Sequence, residues 1–227
     1  MAWFYVKSGG SATGDTGRYA SQQTGSFATL GAANYYDSIV GAINATTSPI
    51  AGDFILVSDS HAFSSASNIN YVGTSTAPGF NIVCVDDSNV DAQRTAQGVR
   101  GTETLTGTSA DFNFDHRFSA WGLSFVAVDN IIFSASSATP ADINLYDCKF
   151  TIPGSSDSLL MQQDGVRLGL YDSEIAMNNN GAFLRVNNNS VFYMQGGSIT
   201  TTGVTIAALF SAGMVNAGAR ITLKGVD

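Results

Sequence analysis

The chain has 227 residues, a length that suits one domain with a substantial core. Hydrophobic residues make up 44% of it and charged residues only 12%, with 24 glycines, which is typical of many short strands and turns and argues against a helical bundle. The formal net charge of −8 argues against a nucleic-acid partner, because binding to phosphates requires a basic surface.

The N-terminus, MAWFYVKSGGSATG, lacks the basic-then-apolar pattern of a secretory signal. No apolar run reaches the length of about 18 residues that a membrane helix needs. We therefore expect synthesis in a cytoplasm and no membrane partner. The glycines of this segment are not followed by the GK[ST] of a phosphate loop, and no cofactor is predicted.

Residues 1–52 are interpreted as an N-terminal arm and a short capping helix. Tyr36, Ile39, Val40 and Ile43 have the i, i+3, i+4, i+7 spacing of one apolar helix face, and Asn34 is the expected N-cap. Such a helix would cover the open end of an apolar core and protect the first strand edge.

The segment AGDFILVSD predicts a strand with Ile55 and Val57 inward, and FNIVCVDD repeats this pattern at Ile82 and Cys84. Residues 86–117 are expected to be an irregular insertion with a long loop and an extra strand pair. Its charged residues suggest either a calcium-assisted lyase site or, as we prefer, a solvated loop. They are Asp86, Asp87, Asp91, Arg94, Arg100 and Glu103.

A regular repeat follows, in which NLYDCKF and GLYDSEI lie 25 residues apart. Each copy alternates apolar and polar residues, changes phase at a two-residue corner and alternates again, and a second apolar patch such as SLLM supplies a third strand. Units of 24 to 25 residues that stack in this way predict an all-β protein, a single-stranded right-handed parallel β-helix over residues 53–227. A β-sandwich or a propeller is the alternative. The first inward positions of the copies are Phe118, Ile143, Leu168, Phe192 and Ile221.

Outward positions of the stacked copies should form columns along the helix. In one column Lys149 is followed by Glu174, and in another Asp142 lies between Arg117 and Arg167, so that opposite charges are neighbours. A corner column begins with three aromatic residues that are expected to stack in a ridge, namely Trp121, Tyr146 and Tyr171.

The phrase FATL, the helical stretch and AGDFILVSD together resemble the opening of pectin-lyase-like right-handed β-helix proteins. The resemblance covers residues 27–58 by motif and the later repeats by architecture alone. That superfamily includes polysaccharide lyases, glycosidases, and phage tailspikes, fibres and capsid decorations. The weakly charged, aromatic composition, rich in Ser, Asn and Gly, is most similar to that of bacteriophage virion proteins.

The resemblance implies a non-enzymatic structural protein of the virion, either a capsid decoration or a fibre or spike module. It would bind other virion subunits and associate with copies of itself, often as a homotrimer. The final phrase RITLKGVD stops in mid-coil, which would leave an open end for another subunit. The alternative is a carbohydrate-active tailspike, which would be a polysaccharide lyase or a glycosidase, or a protein that binds host-surface glycans.

Three sets of residues are candidate sites, although none is assigned as catalytic or as a metal ligand. Asp147 and Asp172 share a corner, where they would bind calcium, form an acid–base pair for glycoside hydrolysis, or simply be exposed polar residues. His116 is a candidate base or a packing residue. The ridge of Trp121, Tyr146 and Tyr171 would contact a sugar or a neighbouring subunit, or serve structure alone.

The two cysteines fall on inward positions two coils apart: Cys84 is expected to lie level with Ala120 and Leu145, and Cys148 level with Leu123. Two coil steps amount to about 10 Å, whereas a disulfide needs Cα atoms within about 7 Å. We therefore expect two buried free thiols.

Overall fold

The computed structural model describes residues 1–72, 79–91, 94–115, 117–134, 141–152, 158–162, 165–178, 183–186, 189–201, 209–215 and 218–227. Its strands stack in parallel, which confirms the predicted all-β parallel β-helix with short helices near the N-terminus. In chain order the elements are β1 (Trp3–Val6), β2 (Arg18–Tyr19), α1 (Phe27–Leu30), α2 (Ile39–Ile43), β3 (Phe54–Ser58), β4 (Ala62–Ser65), β5 (Ile69–Val72), β6 (Phe80–Val85), β7 (Gly101–Leu105), β8 (Phe112–Asp115), β9 (Arg117–Trp121), β10 (Leu123–Val126), β11 (Ile131–Ser134), β12 (Asp142–Tyr146), β13 (Lys149–Ile152), β14 (Ser158–Met161), β15 (Arg167–Tyr171), β16 (Glu174–Met177), β17 (Phe183–Val186), β18 (Val191–Gln195), β19 (Ser198–Thr201), β20 (Phe210–Val215) and β21 (Arg220–Lys224).

These strands form three sheets, and the chain visits each sheet once per coil. Sheet A has the order β2-β1-β3-β6-β9-β12-β15-β18-β21, sheet B runs from β4 through β7, β10, β13 and β16 to β19, and sheet C runs from β5 through β8, β11, β14 and β17 to β20. Neighbouring strands are parallel, except that β1 and β2 are antiparallel. β1 and β2 therefore extend sheet A by two strands beyond the coils.

The predicted register of the repeat is confirmed. Leu145 pairs with Leu170, Leu170 with Met194, and Met194 with Leu223, which places the four residues in one column. The outward columns also align, and Lys149 Nζ lies 3.0 Å from Glu174 Oε2. A period-2 pattern with one buried face specifies this pairing strongly, because a slip by one residue would turn every apolar side chain outward.

The interior of the coils is filled by aromatic and aliphatic side chains from all three sheets. Phe114 packs on Phe133 with ring centroids 5.0 Å apart, and Phe125 packs on Phe150 at 5.4 Å. All four rings are almost completely buried. Burial of each such side chain contributes about 1.5 to 3 kcal/mol to the stability of the folded state.

The capping helix begins later than expected, so the assignment of Asn34 as its N-cap is wrong. Ser38 is the N-cap, and its side chain accepts a hydrogen bond from the Gly41 amide. The reason is that Tyr36 is extended, because it forms a parallel bridge with Val6, and Asn34 belongs to a 3₁₀ turn. The backbone hydrogen bonds between Tyr36 and β1 stabilise the fold more than one further turn of helix would.

The irregular segment is narrower than residues 86–117. β7 and β8 lie inside this interval and pair with the regular strands of sheets B and C, which leaves the described residues of 86–100, namely 86–91 and 94–100, as the loop outside the coil. The alignment across the loop is also corrected by two residues. Phe80 pairs with Phe118 and Ile82 with Ala120, so Cys84 does not lie level with Ala120 as expected.

The two cysteines are buried free thiols, as predicted. Burial raises the pKa of Cys84 to about 11 and that of Cys148 to about 12, so neither is a reactive thiolate at neutral pH. A thiol reagent should therefore leave the native protein unlabelled and should modify two thiols after unfolding without a reductant. Recovery of fewer than two thiols from freshly purified protein would contradict the coil order β6-β9-β12 that separates them.

Candidate binding groove at the corner of the coils

The aromatic ridge is a stack of three rings at the ends of β9, β12 and β15. Trp121 and Tyr146 have ring centroids 4.9 Å apart with a 7° angle between their planes, and Tyr146 and Tyr171 are 4.7 Å apart at 13°. Partial burial, and then the nearby Tyr146, raise the pKa of Tyr171, so its hydroxyl stays protonated at neutral pH. We call these three residues the aromatic ladder.

The residues that follow the ladder make a left-handed corner in each coil. Their φ angles are 68° at Gly122, 49° at Asp147, 49° at Asp172 and 66° at Gly196. Glycine adopts this conformation freely, and aspartate is among the few other residues that tolerate it. At Gly122 a side chain would also be crowded, because a Cβ atom would lie 3.0 Å from the Cβ of Cys84. The two aspartates therefore have a backbone role, whatever their chemistry.

Asp147 is fully engaged by the loop of residues 86–100. Its Oδ1 accepts from Arg100 Nη2 at 2.6 Å, and its Oδ2 accepts from the Gly98 amide at 2.8 Å. Arg100 Nε also donates to the Asp147 carbonyl, at 2.8 Å, and Nη2 donates to Glu174 Oε1 at 3.1 Å. Arg100 thus links the loop to two successive coils, and each carboxylate oxygen of Asp147 already accepts a hydrogen bond from the loop.

The Arg100 contacts predict an acid-sensitive contribution to stability. Burial opposes ionisation of Glu174, but Lys149 and Arg100 outweigh it and lower its pKa. A carboxyl whose pKa is lower in the folded state stabilises the fold above its unfolded pKa of about 4.3 and loses that effect as the pH falls further. In chemical unfolding, Arg100→Met should reduce the loss of stability between about pH 5 and pH 3. It should also destabilise the fold at pH 7 by about 1 to 3 kcal/mol.

Arg94→Met is the matched control, because Arg94 lies in the same loop and is exposed. It should leave both the stability and its pH dependence unchanged. If the stability of Arg100→Met depends on pH as that of the wild type does, the stabilising role of the Arg100 contacts with Asp147 and Glu174 is wrong.

A groove of about 300 Å³ lies between the loop and the aromatic ladder. Residues 94–97 line it, together with the ladder, Gly122, Asp147 and Asp172. The loop is held in place by a bridge between Val85 and Arg94 and by a hydrogen bond from the Thr95 amide to the Cys84 carbonyl, at 3.0 Å. Asp172 is exposed, and its carboxylate has no hydrogen-bond partner among the described residues.

The other charged residues predicted as one loop cluster are separated by the fold. Asp87 pairs with Lys7 of the N-terminal arm at 2.8 Å, and Asp86 accepts from Ser88. Within the described part of the chain, no group of three or more His, Cys, Asp or Glu side chains is placed to hold a metal ion. His116, the candidate base, lies outside the described residues.

Glu103 does not belong to a surface cluster at all. It is 1% exposed and occupies an inward position of β7, in register with Phe63 and Phe125. Its Oε1 accepts from the Ile39 amide of α2 at 3.1 Å and lies 3.3 Å from His61 Nε2, and its Oε2 accepts from the Tyr71 hydroxyl. This buried carboxylate therefore joins the cap helix to the first two coils.

Ser8 extends the same network to the N-terminal arm. Its Oγ lies 3.2 Å from His61 Nδ1 and accepts from the Ala62 amide at 2.8 Å. The order Ser8–His61–Glu103 resembles the residue types of a hydrolase triad, but there the serine faces Nε2 and the acid faces Nδ1. The ring is reversed here and the acid is bound by the cap, so we interpret the network as structural.

The fold and this groove define a parallel β-solenoid with a polar and aromatic groove at one corner. No protein-family model, no curated protein and no solved structure matches the chain. Within the described ranges, no helix combines the length and the apolar character needed to cross a bilayer.

Proposed function

We propose that the protein is a non-enzymatic structural module of a bacteriophage particle, either a capsid decoration or a component of a fibre or spike. In this role the β-helix is a rigid body that binds other virion subunits and associates with copies of itself, and a trimer is the form that the family resemblance favours. Its place would be the virion, after synthesis in the host cytoplasm.

The observation that supports a structural role is that the candidate carboxylates hold separate parts of the fold together by hydrogen bonds. Both Asp147 oxygens bind the loop, and Glu103 binds the cap helix, His61 and Tyr71. A glycosidase needs two carboxyl groups that are free to exchange protons with a substrate. Of the corner pair, Asp172 alone has an unoccupied carboxylate among the residues that the structure describes. The enzymatic alternative is therefore less favoured.

We expect the purified protein to show no turnover on bacterial capsule or lipopolysaccharide, with or without calcium. Reducing ends and unsaturated sugars are the products to measure, because a glycosidase releases the former and a lyase the latter. Reproducible product formation that is abolished by Asp147→Asn or Asp172→Asn would overturn the non-enzymatic role.

The virion location has a separate test. Mass spectrometry of gradient-purified phage particles that encode this chain should find it among the structural proteins, and sedimentation of the purified protein should show an oligomer. Its absence from such particles would contradict the proposal, even if no turnover were found.

A further inference from the structure

We propose that the Met1–Ala2 bond is a processing site, and that the α-ammonium group left on Ala2 by its cleavage binds the buried carboxylate of Asp53. This modification goes beyond the structural role and does not depend on it. The binding site is formed by residues 2, 50 and 53, so it is the same whether Met1 alone or a longer segment precedes Ala2. The proposal rests on the surroundings of the carboxylate, on the fixed position of the Ala2 nitrogen, and on the exposure of Met1.

Asp53 is a buried acid whose negative charge is only partly compensated. It is 2% exposed and lies immediately before β3. Its Oδ1 accepts from the Ala2 amide at 2.5 Å, and its Oδ2 accepts from the Ile50 amide at 3.1 Å. Among the described residues no lysine or arginine pairs with it, and the Met1 nitrogen is 3.8 Å from Oδ1, beyond hydrogen-bond distance. A buried carboxylate is most stable when it is both hydrogen-bonded and paired with a cation, so this site favours an ammonium group as one of its donors.

The nitrogen of Ala2 is held at this carboxylate by contacts that do not involve Met1. The Ala2 side chain is 2% exposed and packs in the core of the coils, and its carbonyl accepts from the Phe54 amide at 3.0 Å. β1 follows directly and pairs with β3 in parallel register. Removal of Met1 therefore leaves the nitrogen in place and converts it from an amide into an ammonium. The new pair adds the attraction of two opposite charges at a buried position, where salt screens it little.

The bond that breaks is suited to a methionine aminopeptidase, a class of enzyme that removes an N-terminal methionine when a small residue follows. Met1 is 76% exposed, and the residue after it is alanine. In this hydrolysis water attacks the Met1 carbonyl carbon and the C–N bond to Ala2 breaks. The water oxygen becomes part of the carboxylate of free methionine, and its two protons complete the ammonium of Ala2. A large residue at position 2 would suit neither the enzyme nor the buried position, and alanine suits both.

The ion pair gives the fold a distinctive stability profile at alkaline pH. Among the described residues, Asp53 is the charged side chain that contacts the Ala2 nitrogen. The ordinary pKa of an α-ammonium group is about 7.7 to 8.0, and a carboxylate partner in the folded state raises that pKa. A group whose pKa is raised by folding stabilises the fold below its unfolded pKa and loses this effect as the pH rises through the folded pKa. A carboxylate that bonds amides alone would show no such loss, because amides do not titrate.

The experiment compares chains that differ only at the N-terminus. A recombinant chain translated from Met1 should show, by intact-mass spectrometry, the loss of one methionine residue. Two further chains are released from a fusion protein in vitro, one beginning at Ala2 and one carrying Gly-Ser before Met1. At pH 7 the chain that begins at Ala2 should melt about 3 °C higher than the extended chain. This difference should shrink towards zero as the pH is raised to about 10.

Asp53→Asn is the matched variant, because it keeps the shape of the side chain and removes its charge. In this background the two N-termini should give equal melting temperatures at pH 7. The alkaline comparison uses the wild-type residue, so it tests the ion pair even where Asp53→Asn perturbs the fold. Retention of Met1 in the recombinant chain overturns the processing step. The ion pair is overturned by equal stability of the two wild-type chains, by an unchanged difference in Asp53→Asn, or by a difference that persists at about pH 10.

Discussion

Replacing Leu170 with aspartate is expected to unfold the β-helix. Leu170 is fully buried in β15, between Leu145 and Met194 of the adjoining coils. The substitution places a carboxylate without a partner in the apolar interior, at a cost of several kcal/mol. Domains of ordinary size are stable by only about 5 to 15 kcal/mol, so the folded population should fall sharply.

Thermal unfolding followed by circular dichroism measures this effect. Asp91→Asn is the control, because Asp91 is exposed in the loop and its replacement should leave the melting temperature nearly unchanged. A Leu170→Asp protein that melts together with the wild type would show that the inward column is wrongly assigned.

Removal of the buried carboxylate of Glu103 should give the second largest effect. Glu103→Ala leaves the Tyr71 hydroxyl, the His61 ring and the Ile39 amide without their common acceptor. Each buried donor left unsatisfied costs about 1 to 3 kcal/mol, so we expect a loss of at least about 3 kcal/mol in chemical unfolding. Local unfolding should begin at the cap, because α2 loses its hydrogen bond to the coils.

Glu174→Ala is the matched control for Glu103, because it removes the same side chain from a partly exposed position, where it pairs with Lys149 and Arg100. Surface pairs of this kind contribute about 0 to 1 kcal/mol. Equal destabilisation by the two variants would contradict the anchoring role of Glu103. Faster hydrogen exchange of the α2 amides in Glu103→Ala, with the later coils unchanged, would locate the effect at the cap.

The regular coils could be predicted because their pattern is redundant. Inward apolar residues, two-residue corners and the charge pairs of the outward columns agree on one register, as the pairing of Lys149 with Glu174 shows. The predicted alignment of Phe80 was wrong by two residues, and the cause lies in the same pattern. A period-2 alternation keeps its inward face inward after a shift of two, so the pattern did not distinguish Phe80 from Ile82 as the partner of Phe118.

The site was predictable only in part. The stacking of Trp121, Tyr146 and Tyr171 follows from the repeat itself, because equivalent residues of successive coils must be neighbours. Arg100 reaches Asp147 from a loop that leaves the coil, so no repeat spacing indicates the contact. Glu103 was assigned to the solvated loop because glutamate is rarely buried. Its place between Gly101 and Leu105, on the same face of a strand, was the signal that indicated burial.

Engineered disulfides test the stacking of the coils most directly. Ser119 and Asn144 are outward residues paired between β9 and β12, and adjacent strands lie about 4.8 Å apart, within the Cα range of about 4.4 to 6.8 Å for a disulfide. Ser119→Cys with Asn144→Cys should therefore crosslink on mild oxidation. Ser119→Cys with Asp142→Cys, offset by two residues and about 8 Å apart, should not. Thiol counting of the unfolded proteins should show two native thiols in the first variant and four in the second. Crosslinking of the offset pair in preference to the aligned pair would contradict the register on which the ladder and the groove depend.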